Sequence, residues 1–484
     1  MQISVRRLFH DFITNFKPRE LLYWTVGNGI YQAFQSGMRV QLFGVAEHYG
    51  PPAPATLILA THKRDWDPIL FATSSYYHRG WFVPDGRRVG FAGRADIWDR
   101  GFLATVVGYR NWPTWSQHLL DATSFAPLAN RLRAYPILRV PEYTLRQYFR
   151  ALLKEEGDVL LSAVLSLETL LDFTRHEDTL TARKKGRSRE EVSPLRLSDV
   201  LGWEYRLLTD RPVHMRHLTA ARYERLQAWM RGTIEQQLET LAHSMDGGET
   251  LWFAPEGAVT LDGRVMRLRS GLQTLLARVR PDTRILPANV TYDFMTNERR
   301  MIACLAVGPE LSGVRHLDRA EQARQVTQAL ALQTTVTMSQ LGSKGLLACL
   351  EDRAGFFDPE AEAPALLADA HRLAKLGAWV QPELLKMKTF HRRLYAFVAY
   401  AKAHQLITPT EHGIYFVSSK LIKAASSRYW ENPVRYCANE LDTLEKALLL
   451  RREEVRPVRP PTKTAQPERK AEPSGRVEAE TSIV

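Results

Sequence analysis

His62 and Asp67 stand five positions apart in Ala60-Thr-His-Lys-Arg-Asp-Trp-Asp-Pro68, directly after the apolar run Leu57-Ile-Leu-Ala60. An imidazole is the side chain best suited to take a proton at neutral pH, and a carboxylate on its second ring nitrogen fixes the tautomer and steadies the imidazolium that forms. The apolar run predicts a strand, so the pair would sit where a strand ends. Asp65 competes with Asp67 on spacing alone, because a helical turn would also bring it near His62. With 14 histidines in the chain, about one such His-x4-Asp pair is expected by chance. The pair gains weight only in company.

That company lies far along the chain. Phe253-Ala-Pro-Glu-Gly257 follows another apolar segment. Glu256 is suited either to hold an acceptor hydroxyl or to pair with an arginine and fix the loop. Gly257 permits a backbone conformation or a close approach that a side chain would block. Arg139 closes Ala134-Tyr-Pro-Ile-Leu-Arg139, where a guanidinium could grip a phosphate with two hydrogen bonds or simply cap a strand end.

In this order the segments resemble the glycerolipid acyltransferases, the family of glycerol-3-phosphate and 1-acyl-glycerol-3-phosphate acyltransferases. Thr61 to Asp67 is similar to the first block, Ala134 to Arg139 to the second, Phe253 to Gly257 to the third and Ile285-Leu-Pro-Ala-Asn-Val290 to the fourth. Val89 to Ile97 and Ala306 to Leu311 resemble the strands that follow the first and last blocks, and Asn432 to Asn439 is similar to a tyrosine–asparagine segment of some glycerol-3-phosphate enzymes. The resemblance spans roughly 50–312 and selects Asp67 over Asp65. It implies an acyltransferase-like α/β fold and transfer of a fatty acyl group from acyl-CoA or acyl carrier protein to a glycerolipid hydroxyl. His62 would act as general base with Asp67 orienting it, and Arg139, Glu256 and Gly257 would bind substrate. No cofactor or metal is implied beyond the acyl co-substrate. A thioester is already activated, so no covalent enzyme intermediate is needed, and the chain has no Gly-x-Ser-x-Gly elbow.

The sequence departs from the pattern at Arg64, where serine is usual, and at Ala254, where phenylalanine is frequent. Ala258-Val259 replaces a common Thr-Arg, which removes one phosphate-binding arginine; Arg264, Arg267 and Arg269 are the candidates to replace it. The spacing from His62 to Glu256 is also longer than usual.

The elements that must position these residues follow from changes in pattern. Residues 1–50 read as helical, with Leu22, Val26, Ile30, Phe34 and Met38 at intervals of four and Arg6, Arg7, Lys17 and Arg19 upstream. Basic residues beside an aromatic-bearing stripe suit either a bilayer interface or an ordinary core-facing helix, and Gly27 and Gly29 predict a kink or two short helices. Residues 51–312 form the α/β domain, a mixed sheet flanked by helices, interrupted by a helical insertion at about 141–245 with helices expected at Val159–Phe173 and Tyr223–His243. A C-terminal helical region follows at 313–452, with loops expected around Gly342–Gly345 and Asp358–Pro364. The proline- and charge-rich tail 453–484 reads as disordered.

Lys and Arg total 65 against 53 Asp and Glu, a formal charge of +12. That excess points to an anionic partner, and an anionic membrane surface is preferred because no nucleic-acid-binding motif is evident. The three scattered cysteines fit a reducing compartment, and no segment reads as a signal peptide or a spanning helix. The expectation is a peripheral enzyme on the cytoplasmic face of a membrane; the alternative is a non-catalytic, basic lipid-binding protein on the same fold. Oligomeric state is not set by the sequence.

Overall fold

The computed structural model describes residues 21–49, 55–79, 89–98, 123–124, 126–140, 143–185, 194–296, 299–352, 355–410, 413–423 and 431–455. Seven strands form one sheet: β1 (Met38–Phe43), β2 (Thr56–Ala60), β3 (Val89–Arg94), β4 (Ala134–Ile137), β5 (Thr250–Phe253), β6 (Arg284–Asp293) and β7 (Met301–Val307). The main helices are α1 (Leu21–Gly37), α2 (Asp67–Arg79), α3 (Leu145–Glu155), α4 (Leu167–Lys185), α5 (Ala220–Asp246) and α6 (Gly271–Arg278). In the C-terminal part they are α7 (Arg319–Leu332), α8 (Met338–Asp352), α9 (Pro359–Lys375), α10 (Met387–Ala403) and α11 (Pro433–Val455). The protein is α/β, with a mixed sheet flanked by helices.

The strand order is β1-β7-β6-β2-β5-β3-β4. Every neighbouring pair is parallel except β6 and β7. Strands β2 and β5 are wholly buried, so they read as continuous apolar runs with no alternation, as two-sided burial requires. The chain leaves β2 through α2 toward β3, and it leaves β5 through α6 in the opposite direction toward β6. Crossovers of one hand running in opposite directions must lie on opposite faces. The cores bear this out. Leu70 and Phe71 of α2 cluster with Ile58, Ala60, Trp252 and Leu286, whereas Leu272 and Leu275 of α6 cluster with Leu57, Leu59, Leu251 and Phe253. A crevice therefore opens beyond the carboxyl ends of β2 and β5, where the two connections part.

Between β4 and β5 the chain makes a mainly helical excursion, with its own core of residues such as Phe149, Phe173 and Tyr205. Helix α5 spans both cores, giving Leu226 and Met230 to the excursion and Leu238 and Leu241 to the sheet. The C-terminal helices enclose a further core around Phe390, Phe397 and Leu441. They carry a two-stranded and a three-stranded sheet of very short strands that the helical pattern did not suggest.

Several expectations need correction. Residues 38–43 are a strand and not a continuation of the first helix, because their backbone groups pair with Met301–Ala306 of β7. Gly27 and Gly29 lie within one continuous helix, while Arg6, Arg7, Lys17 and Arg19 fall outside the described residues. The helix expected from Val159 starts only at Leu167; Leu161 N bonds Leu195 O and Leu197 N bonds Val159 O, so this stretch spends its backbone groups on a distant segment. Pro359 opens a helix capped by Asp358, and Gly342 and Gly345 are helical. Helix α11 continues to Val455, and the rest of the tail is outside the described residues.

Helix α10 crosses α8 closely at Gly342. A Cβ there would fall 2.6 Å from Phe397 Cε1, a ring that is itself fully buried. Alanine gains roughly 1 kcal/mol of helix propensity over glycine, yet overpacking a core costs about 1–3 kcal/mol. Gly342→Ala should therefore lower stability in urea denaturation. A more stable variant would show that α8 and α10 yield freely.

Candidate active site

His62 lies two residues beyond β2, with 4 % of its surface exposed. The approach to it is fixed from the neighbouring strand: Thr61 Oγ1 donates to Asn289 Oδ1 at 2.5 Å, and Asn289 Nδ2 donates to Thr334 Oγ1 at 2.9 Å. The fourth block thus positions the first. The imidazole meets the Trp252 ring edge-on, with centroids 5.6 Å apart.

Asp67 is fully buried at the start of α2, whereas Asp65 is exposed. Asp67 Oδ2 accepts from Lys63 N at 2.6 Å and Arg64 N at 2.8 Å, and His62 Nδ1 is 3.4 Å away. The backbone bonds tie the His62–Asp67 loop into a tight turn, and the longer imidazole contact completes it. Tyr292 donates its hydroxyl to Asp67 Oδ1. Burial, then the adjacent Asp67 charge, hold that hydroxyl well above its ordinary value, so it remains a donor. Arg64 lies over Tyr292 and Trp66, its guanidinium carbon 4.6 and 5.3 Å from the two ring centroids. The residue that departs from the expected serine therefore packs on the aromatic rings behind Asp67.

Glu256 is also fully buried. Among the described residues no arginine forms an ion pair with it; its carboxylate accepts two backbone N–H groups, His62 N on Oε2 at 3.0 Å and Met266 N on Oε1 at 2.6 Å. Thr260 N closes the loop on His62 O at 2.7 Å. Arg269 approaches the Glu256 main-chain carbonyl, with Nε at 3.4 Å. Gly257 has φ +70°, and a Cβ there would lie 3.1 Å from Arg269 Cγ. The left-handed backbone favours glycine, and a Cβ would crowd Arg269 as well.

These turns border a cavity of about 400 Å³ lined by His62, Arg139, Trp252, Gly257 and Arg269, with apolar walls from Ile137, Leu138, Ile234 and Leu238. Arg139 lies just past β4 and is half-buried. Of the three arginines that could replace the missing one, Arg269 faces this cavity, while Arg264 and Arg267 line a separate groove. The excursion helix α5 supplies Ile234 and Leu238 and so forms one wall.

The loop is also held from the C-terminal region. Lys63 and Glu440 of α11 form a buried ion pair, and Gln340 Nε2 donates to Glu440 Oε2 at 3.1 Å. Asn439 Nδ2 donates to Asp262 O at 2.9 Å, which brings the tyrosine–asparagine segment against the third-block loop. Sequence reasoning missed Lys63, Glu440, Tyr292 and Trp252. Tyr292 had a signal, since it shares strand parity with Ala288 and Val290 on the α2 face; Glu440 had none.

No family model matches the chain, and no curated protein matches it significantly.

Burial pushes Glu256 from its ordinary 4.5 up to about 7, against the pull of its backbone donors and of nearby Lys63 and His62. A folded value above the unfolded one means the folded state holds the extra proton. This contribution to stability is complete below 4.5 and is lost as pH rises through about 7. Glu256→Gln removes the titration and turns an amide N–H₂ toward a backbone donor, costing about 1–3 kcal/mol. In urea denaturation the deficit of the variant should widen as pH falls from about 7 to 4.5; a deficit that stays constant would show that Glu256 does not titrate there.

Proposed function

We propose that this chain is a peripheral membrane O-acyltransferase of the glycerolipid type, taking an acyl group from acyl-CoA or acyl carrier protein to a hydroxyl of glycerol-3-phosphate or a lysophospholipid. The observation that carries the reading is a buried His62, backed by Asp67, at the wall of an apolar cavity that also holds Arg139 and Arg269. A base beside two guanidinium groups suits an alcohol that bears a phosphate, and the apolar walls suit an acyl chain.

In this reading Nδ1 of His62 faces Asp67, which leaves Nε2 for the acceptor hydroxyl. Nε2 takes the hydroxyl proton as oxygen bonds the thioester carbon. The C–S bond then breaks, and the imidazolium returns the proton to the leaving thiolate. Asp67 stabilises the transient positive charge. Arg139 and Arg269 hold the phosphate, while Glu256 and Gly257 keep the His62 turn and the Arg269 side chain in place. No helix among the described residues is long and apolar enough to cross a membrane; the basic balance of the chain supports attachment to an anionic surface.

One observation favours a second reading. Asp67 Oδ2 already accepts two backbone bonds shorter than its contact with His62, as a purely structural carboxylate would. A non-catalytic, basic lipid-binding protein would need no more.

Acyl transfer by the purified protein, with labelled thioesters and both glycerol-3-phosphate and lysophosphatidate present, separates the two. Wild type should form product and His62→Ala should not, with the same melting temperature. Asp67→Asn should keep substrate binding and lose about 10²–10⁴ in kcat, by analogy with triad carboxylates. Background-level product from a folded wild type that still binds vesicles would establish the lipid-binding reading. Arg269→Ala should raise KM for the phosphate-bearing acceptor about tenfold or more, as expected for loss of a charge-assisted bond of about 1.5–3 kcal/mol. An unchanged KM would remove Arg269 from the phosphate site.

A further inference from the structure

The segment that holds Glu256 and lines the candidate active site has a second side. Arg264, Arg267, Arg319, Arg324 and Lys446 surround a groove of about 800 Å³ in which, among the described residues, no acidic residue takes part in the lining. Its floor is apolar, from Val265, Leu268, Ala323, Ala331, Ala447 and Leu450. The small residues of α7 and α11 leave the space: Ala320, Ala323, Thr327 and Ala331 on one helix, Thr443 and Ala447 on the other. Two of the cations are already engaged, Arg264 with Asp262 and Asn439, and Arg324 with Glu321. Arg267, Arg319 and Lys446 are exposed and make no ion pair with the described residues.

We propose that this groove binds a single-chain lipid phosphate, with the phosphate among Arg267, Arg319 and Lys446 and the chain along the floor between α7 and α11. Charge complementarity selects the head group: three cations, two of them guanidinium groups, line one groove without an ion pair among the described residues. The apolar floor selects a chain attached to that phosphate, and the volume is that of a small-molecule site. The site is distinct from the His62 cavity and does not rest on the acyltransferase reading. Its position gives it a route to that cavity nonetheless. Arg264 O accepts Thr260 Oγ1 at 2.7 Å, Met266 N binds Glu256, and Arg269 N binds Pro255 O at 2.8 Å. A ligand gripping Arg267 therefore pulls on the strip of chain that fixes the third-block turn.

The test is binding of dodecyl phosphate below its micelle concentration to the full chain, by calorimetry, beside inorganic phosphate and neutral dodecyl maltoside. Wild type should bind dodecyl phosphate at least tenfold more tightly than either comparison compound. Arg267→Glu and Lys446→Glu should each weaken it at least tenfold, and Arg269→Ala should bind as wild type does. Should a charge reversal fail to fold, the double change Arg267→Gln with Arg319→Gln provides the same reading. Equal binding of inorganic phosphate would reduce the groove to a free-phosphate site and overturn the lipid assignment. Equal binding of dodecyl maltoside would overturn it as simple detergent adsorption, and lost binding in Arg269→Ala would move the ligand to the His62 cavity. Failure of acyl transfer alone would sink the proposed function and leave this site standing.

Discussion

Two buried carboxylates, each satisfied mainly by backbone N–H groups, hold the loops of this protein in register. Asp67 folds its own segment by taking the Lys63 and Arg64 amides. Glu256 joins segments 194 and 10 residues away, through the amides of His62 and Met266. A carboxyl group buried without partners would carry a large desolvation cost, and backbone donors that must themselves be satisfied offset it. Each group needs the other buried and correctly placed. Where two loops leave adjacent strands for opposite faces, such a cross-link is the direct way to fix their separation.

The rest of the architecture serves that junction. Parallel strands β2 and β5 end level, Leu59 against Phe253, so the first-block and third-block turns emerge side by side. The cores on the two faces pull α2 one way and α6 the other, opening the space between. Helix α5 then supplies one wall, and the Lys63–Glu440 pair anchors the far side of the turn to α11. A buried ion pair of this kind is weak evidence for net stability, since desolvation opposes the attraction, but removing one partner strands the other charge. Its consequence here is geometric: the C-terminal helices cannot shift without disturbing the residue next to His62.

The basic groove and the candidate active site lie on two sides of one short segment. Arg269 points one way and Arg267 the other, as side chains two apart need not do in an irregular loop. Arg139 and Arg269 line the cavity that His62 borders, and Arg267, Arg319 and Lys446 line the groove with the apolar floor.

The sequence by itself determined the α/β character and several strands of the main sheet. Apolar runs bounded by turn residues marked β2, β5 and β6, because two-sided burial admits little else. The His62–Asp67 spacing and the Pro-Glu-Gly turn marked the junction, because tight buried turns tolerate few residue types. Tertiary structure alone decided that Met38–Phe43 would be a strand, since a short segment with both patterns takes whichever partner the fold supplies. It alone decided that Glu256 would serve the backbone, that Arg269 and not Arg264 or Arg267 would face the cavity, and that Glu440 would reach Lys63. Those outcomes depend on contacts between segments hundreds of residues apart, and no local periodicity or spacing records which distant group will arrive.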